Sequence, residues 1–392
     1  MFANRLTLFT LFGFRIMVDA SWLLLAVLIV WSLSTGLFPV LLPGQSAGTY
    51  WSMGVIGLFG LAASIVAHEL AHAVVARRYD MPIRSITLFI FGGVAEMERE
   101  PPTAKGEFLM AIAGPIMSLV VAFLFWAAAG FSGGGLSGAG SSETLTGQPG
   151  VSPIGLVLGY VAFINLLLAV FNMVPAFPLD GGRVLRSALW AWKGDLIWAT
   201  RIAASAGSVF AAILMGLGLA SFIGGNVIGG VWYFILGLFV HAAAQGQVRH
   251  QMTQSILSGQ PVSRFMRRNI VAVPADLPVP QAIDDYFYRY FYKTFPVMDG
   301  GSLVGVLGTE QLGDRDDAVG KSVSAVMVPV TEDALIAPNE DAAAALMQMQ
   351  RTGKSRLLVA KRHNGSQIEL VGILSLRDLM NFLALKSDLD RR

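Results

Sequence analysis

Ser64-Ile65-Val66-Ala67-His68-Glu69-Leu70-Ala71-His72-Ala73-Val74 sets three ionisable side chains inside the apolar run Met53–Ala76. A run of this length crosses a hydrocarbon core as a helix. Ionisable groups within such a span are costly and mark function. Residues four apart share a helix face, so the imidazoles of His68 and His72 can hold one metal ion with Glu69 beside it. In this HExxH pattern the carboxylate takes the proton of a metal-activated water. The chain has no cysteine, which leaves His, Asp and Glu as ligands and makes Zn²⁺ the ion this donor set suits.

Around that stretch the whole first half is apolar. Of 392 residues 54% are hydrophobic and 14% charged, against about 25% charged in soluble chains, and the mean hydropathy is +0.60. Six runs are long enough to span: Ala20–Val40, Met53–Ala76, Phe108–Gly130, Ile154–Val174, Ile202–Phe222 and Val227–Ala244. Basic residues (Arg5, Arg15, Arg77, Arg78, Arg84, Arg183, Arg186, Lys193, Arg201, Arg249) fall on one set of alternate connections. The other set, which includes residues 131–153, has none, so both termini are predicted to face the cytoplasm. The formal net charge of +2 gives no nucleic-acid footprint. The sequence therefore predicts a polytopic α-helical membrane domain over 1–248, a linker over 249–261 and a soluble α+β module beyond.

A hydrolytic zinc site needs a third protein ligand and an open position. The best candidate is Asp180 in Asn172-Met173-Val174-Pro175-Ala176-Phe177-Pro178-Leu179-Asp180-Gly181-Gly182, where prolines and glycines interrupt the fourth span near the depth of His68. Residues 83–95 are rich in β-branched and aromatic types and read as strand, as does Leu6–Val18, which points to a small membrane-level sheet.

HExxH in a span followed by NxxPxxPLDGG resembles the site-2 protease family of intramembrane zinc metalloproteases, over most of residues 1–248 and including Ala113-Gly114-Pro115. The resemblance implies that His68, His72 and Asp180 are the zinc ligands and Glu69 the base. It also implies that Asn172 positions the scissile carbonyl or its oxyanion, a role that suits an amide donor. The strand would hold an unwound, membrane-anchored substrate by strand addition, which nominates Ile86, Leu88, Ile90, Gly92 and Gly93 as substrate contacts.

Beyond residue 261 the chain repeats. Val262-Ser263-Arg264-Phe265-Met266 returns as Val323-Ser324-Ala325-Val326-Met327, and Leu303-Val304-Gly305-Val306-Leu307 as Leu370-Val371-Gly372-Ile373-Leu374. The two copies, 262–315 and 323–385, resemble a pair of CBS domains. The second carries Gly372-Ile373-Leu374-Ser375-Leu376-Arg377-Asp378, which fits that family's ribose-binding pattern. Ser375 and Asp378 are thus the expected adenine-nucleotide contacts (ATP, ADP or AMP), and the first copy lacks the matching hydroxyl and acid. CBS pairs commonly dimerise, which implies a homodimer. The expected activity is hydrolysis of peptide bonds in or near the transmembrane segments of membrane-anchored substrates, in regulated intramembrane proteolysis at the plasma membrane. The alternative from another class is a CBS-regulated membrane ion transporter, which requires ionisable residues strung along several spans.

Overall fold

The computed structural model describes residues 5–81, 83–90, 92–97, 101–131, 152–312, 320–363 and 367–389. The connection over 132–151, read above as free of basic residues, lies outside them. The chain divides into two compact units, Met1–Arg249 and His250–Arg392.

In the first unit β1 (Arg5–Leu11) and β2 (Phe14–Asp19) form a hairpin. Asp19 then caps α1 (Ala20–Ser32), its carboxylate accepting from the Ser21 N–H at 3.0 Å. That helix continues through a π-turn into α2 (Phe38–Leu41). Ser46 caps α3 (Ala47–Arg78), the long helix that carries HExxH. A second hairpin follows, β3 (Ile83–Phe89) and β4 (Gly92–Met97). Next come α4 (Ala104–Phe131), α5 (Pro153–Asn172), α6 (Asp180–Lys193), α7 (Leu196–Ile223) and α8 (Val227–Leu257), whose residues from His250 onward belong to the second unit. Among the described residues, six helices are long and apolar enough to cross a membrane: Ala20–Leu41, α3, α4, α5, α7 and α8. Lipid takes the place of a partner for their many outward apolar side chains, such as Phe59, Phe123 and Val209. The α6 helix is not among the six.

The two hairpins join into one sheet, β1-β2-β3-β4, with β2 and β3 parallel across the α1–α3 crossover. Its inner face supplies Phe14, Ile16 and Ile86 to a core with Ala73 of α3, and Leu88 packs against Ile65. The sheet therefore lies directly on the turn of α3 that bears the histidines.

The second unit contains two short sheets. One is β5 (Val273–Pro274), β6 (Thr294–Asp299), β7 (Ser302–Gly308) and β8 (Val328–Pro329); the other is β9 (Leu335–Ile336), β10 (Arg356–His363) and β11 (Gln367–Ser375). Helices α9 (Val279–Ala282), α10 (Tyr288–Tyr290), α11 (Val323–Val326), α12 (Ala342–Thr352) and α13 (Leu376–Leu389) complete it. The stretch 249–261, expected as a linker, is helical as far as Leu257, and that leucine is buried in a core with Ile336, Leu346 and Leu379.

Candidate metal centre

The centre is assembled from four helices. His68 and His72 lie one turn apart on α3, both buried, with ring centroids 4.8 Å apart. Each is fixed from behind by α4. The His72 Nδ1–H donates to the Met110 carbonyl at 2.7 Å, and His68 Nδ1 meets the Ser118 hydroxyl at 2.9 Å. A carbonyl only accepts, so His72 carries a proton on Nδ1 and presents Nε2 to His68 and Asp180. Gly114, midway between Met110 and Ser118, makes room for both rings. A Cβ there would stand 2.2 Å from His72 Nε2 and 2.6 Å from His68 Nε2.

Asp180 arrives from the opposite side. The chain leaves α5 at Asn172, folds through 173–179 and starts α6 at Asp180. Gly181 and Gly182, expected to break a helix, instead form the first turn of a new one, because the incoming loop lies against it. A Cβ at Gly181 would meet the Met173 and Val174 carbonyls at 2.4 Å, and one at Gly182 would meet Phe177 N at 2.5 Å. Asp180 Oδ2 comes within 3.1 Å of His68 Nε2 and 3.2 Å of His72 Nε2, and the two Nε2 atoms are 3.2 Å apart. Three donors at the corners of a tetrahedron with ligands at 2.0–2.1 Å stand about 3.3 Å apart, so the triangle fits one zinc ion and leaves a fourth position open.

A cavity of about 160 Å³ opens on this triangle and is also lined by Glu69, Gly93, Asn172 and Arg183. Glu69 is held against β4, where a Cβ on Gly93 would fall 2.8 Å from its Cγ and 3.2 Å from Oε1. One amide hydrogen of Asn172 goes back to the Leu168 carbonyl at 3.0 Å. The structure thus brings His68, Glu69, His72, Asn172, Asp180 and Gly93 to one cavity.

The other nominated strand residues are placed differently. β3 is paired on both sides, with β2 and β4, so its backbone has no free edge. Ile86 and Leu88 face the interior, and Ile90 sits in the turn, its N–H donating to Ser21 Oγ at 3.3 Å. The edge strand beside the cavity is β4, which lines it with Gly93 and not with Gly92. Sequence reasoning missed Met110 and Ser118; the available signal was the four-residue spacing 110, 114, 118 along one face of α4.

In the second unit Ser375 and Asp378 line a cavity of about 550 Å³ with Arg267, Tyr292, Arg356 and Arg377. The Ser375 hydroxyl donates to Asp378 at 2.5 Å, and Arg267 places a fork on the same carboxylate, Nε at 3.1 Å and Nη2 at 2.7 Å. Burial works against ionisation of Asp378, but the guanidinium and hydroxyl beside it hold its carboxyl below the ordinary value of 3.8.

Comparisons with known proteins bear on both units. The family described as Peptidase family M50 matches residues 56–217, and the CBS domain matches 262–312 and 323–385. Rip3 of Mycobacterium tuberculosis, which carries the name of a zinc metalloprotease, is 36% identical over 377 residues, 95% of this chain and 91% of the relative. A Synechocystis protein, sll0528, likewise named as a zinc metalloprotease, is 34% identical over 79% of this chain and 77% of its own length. The solved Site-2 Protease from Methanocaldococcus jannaschii is 28% identical, covering 63% of this chain and 96% of that one, with a TM-score of 0.42.

Proposed function

The chain belongs to peptidase family M50, the site-2 type of zinc metalloprotease, with a C-terminal CBS pair, and from that membership we propose that His68, His72 and Asp180 hold one Zn²⁺. The site then hydrolyses peptide bonds in or beside transmembrane segments of membrane-anchored proteins. The observation that carries the reading is the 3.1–3.2 Å triangle of Nε2, Nε2 and Oδ2 atoms, with Glu69 beside it in the same cavity. Zinc in that donor set would supply Lewis acidity to the scissile carbonyl and to water.

The remaining steps fall to the chain's own residues. A helical substrate hides its amides, so the segment must unwind before it is cut. The free edge of β4 offers backbone hydrogen bonds to an extended chain beside Glu69. Asn172, at the cavity wall, retains a second amide hydrogen to direct at the carbonyl oxygen. Glu69 accepts the proton of the attacking water and returns it to the leaving amide nitrogen. The distribution of basic residues supports a cytoplasmic location for both termini, and regulated proteolysis at the plasma membrane is the proposed setting. Ser375 and Asp378 are the proposed contacts of an adenine nucleotide, and a CBS-mediated homodimer is the proposed assembly.

A transporter finds less support. Among the described residues, the ionisable side chains buried most deeply (His68, His72, Glu107 and Arg186) gather around this one site and do not form a path across the helices. The test is cleavage of a synthetic transmembrane peptide by purified wild type and Glu69→Gln, with zinc measured in both. Cleavage by wild type alone, at about one zinc per chain in each, is the expected result. Equal cleavage by the variant overturns the assignment of the base.

A further inference from the structure

Glu107 and Arg186 form an ion pair whose side chains are 0% and 1% exposed. Arg186 Nε donates to Glu107 Oε1 at 2.6 Å, and Nη2 donates to the same oxygen. Replacing a buried pair by apolar residues is often neutral or stabilising, so its presence is weak evidence of a role in stability. Hydrolysis as described does not use it. Its position in the fold, however, is informative.

Glu107 lies one turn before Met110 on α4, the helix whose Met110 carbonyl, Gly114 and Ser118 hydroxyl set both imidazoles. Arg186 lies on α6, the helix that begins at Asp180. Its guanidinium also sits over the Phe177 ring, 5.3 Å from the centroid, in the loop that delivers Asp180. One planar fork therefore ties α4 to the first turns of α6 and to the loop before it. α6 is no membrane span, and more than 100 residues of chain separate Asp180 from the histidines. The covalent chain alone cannot hold Oδ2 within reach of the two Nε2 atoms.

We infer that Glu107 and Arg186 are positioning residues, a clamp that registers the helix bearing Asp180 against the helix that orients His68 and His72. The inference rests on the zinc reading above. Supporting residues around a metal typically change its affinity by about 10–100-fold when removed. The clamp acts one step further out, so the lower end, about 10-fold, is expected.

The test uses full-length protein in detergent and the paired variant Glu107→Met with Arg186→Met, which removes both members of the buried pair at once. Zinc affinity is read by chelator competition, and the melting temperature of zinc-free protein is read alongside. The same pair is then placed in an Asp180→Asn background. Expected are an unchanged or raised melting temperature, zinc binding weaker by about 10-fold in the native background, and a change under about 2-fold once Asp180 is gone. Unchanged affinity in the native background, or the same loss in both backgrounds, overturns the clamp. Should the paired variant not fold, Arg186→Lys keeps the charges but loses the fork, and the same comparison is made with it. Wild-type protein that fails to bind zinc at all sinks the metal assignment instead, so the two failures are distinguishable.

Discussion

At the scale of single residues, the centre depends on atoms too small to announce themselves. Gly114 exists so that two imidazole rings can converge, since a methyl group there would overlap both Nε2 atoms. Gly114→Ala is expected to fold, because Ala favours a helix over Gly by about 1 kcal/mol. It should lose zinc binding by at least an order of magnitude, which metal analysis after dialysis checks. Glu69→Gln is expected to keep zinc, because Glu69 is not one of the three converging donors. Its turnover should fall about 10²–10⁴-fold, the usual contribution of a positioned acid–base group. Zinc retained with full activity would exclude Glu69 from proton transfer.

Among the elements, β4 and the Arg267–Asp378 bridge make separable claims. The edge of β4 lies against Glu69 with no room for a side chain at Gly93, where a Cβ would also press on Ile65 Cγ2 at 2.9 Å. Gly93→Ala is expected to retain zinc but cut turnover about 10-fold or more, since displacements near 1 Å can cost 10²-fold. Steady-state cleavage beside zinc content separates this from metal loss. In the second unit the carboxyl of Asp378 is depressed in the folded state. A depressed acid contributes stability above its unfolded value, and that contribution is lost as pH falls below about 4 through the folded value. Arg267 is 66% exposed on its side chain, so salt screens the pair and its worth is about 0–1 kcal/mol. Denaturant melts of residues 250–392 at pH 7 and pH 3 should differ less for Arg267→Ala than for the wild type. An identical pH dependence in both would remove the bridge from the account.

For the whole molecule, the two CBS copies are completed by each other. Val262, which opens the first copy, is buried in the core built from Ile336, Leu346, Leu357 and Leu374 of the second. Its N–H donates to the Glu340 carbonyl at 2.8 Å. Val323, which opens the second, is buried among Val273, Phe295 and Leu307 of the first, its N–H on the Leu277 carbonyl at 2.9 Å. The methionines that end these segments press on the paired glycines, Met266 on Gly372 and Met327 on Gly305, where a Cβ would meet sulfur at 2.6 Å in both. Neither copy can close its core alone. Leu257→Ala, in the last turn of α8, is accordingly expected to destabilise the second core by about 2–5 kcal/mol. Hydrogen exchange should then rise over 336–379 and not over 273–307. Uniform acceleration across both would show that the cores are not separable in this way.

Much of this was legible from residue types. The apolar runs fix the number of spanning helices, because no other backbone conformation satisfies its own amides over 20 residues in lipid except a closed barrel. His68, Glu69 and His72 are readable because four residues make one turn. Asp180 is readable because a carboxylate beside broken backbone at membrane depth needs a reason. The 61-residue repeat is readable as two copies of one unit. Tertiary structure alone decided the rest, and in each case the reason is distance along the chain. Met110, Ser118, Glu107 and Arg186 act on groups 38–79 residues away, and a local period can mark a shared face of α4 but not the distant partner it meets. Which strand offers an edge depends on the parallel pairing of β2 with β3 across three helices, and that pairing leaves β4 beside Glu69. The exchange of Val262 and Val323 follows the same logic, since a repeat in sequence shows that two segments are alike and not which core each one fills.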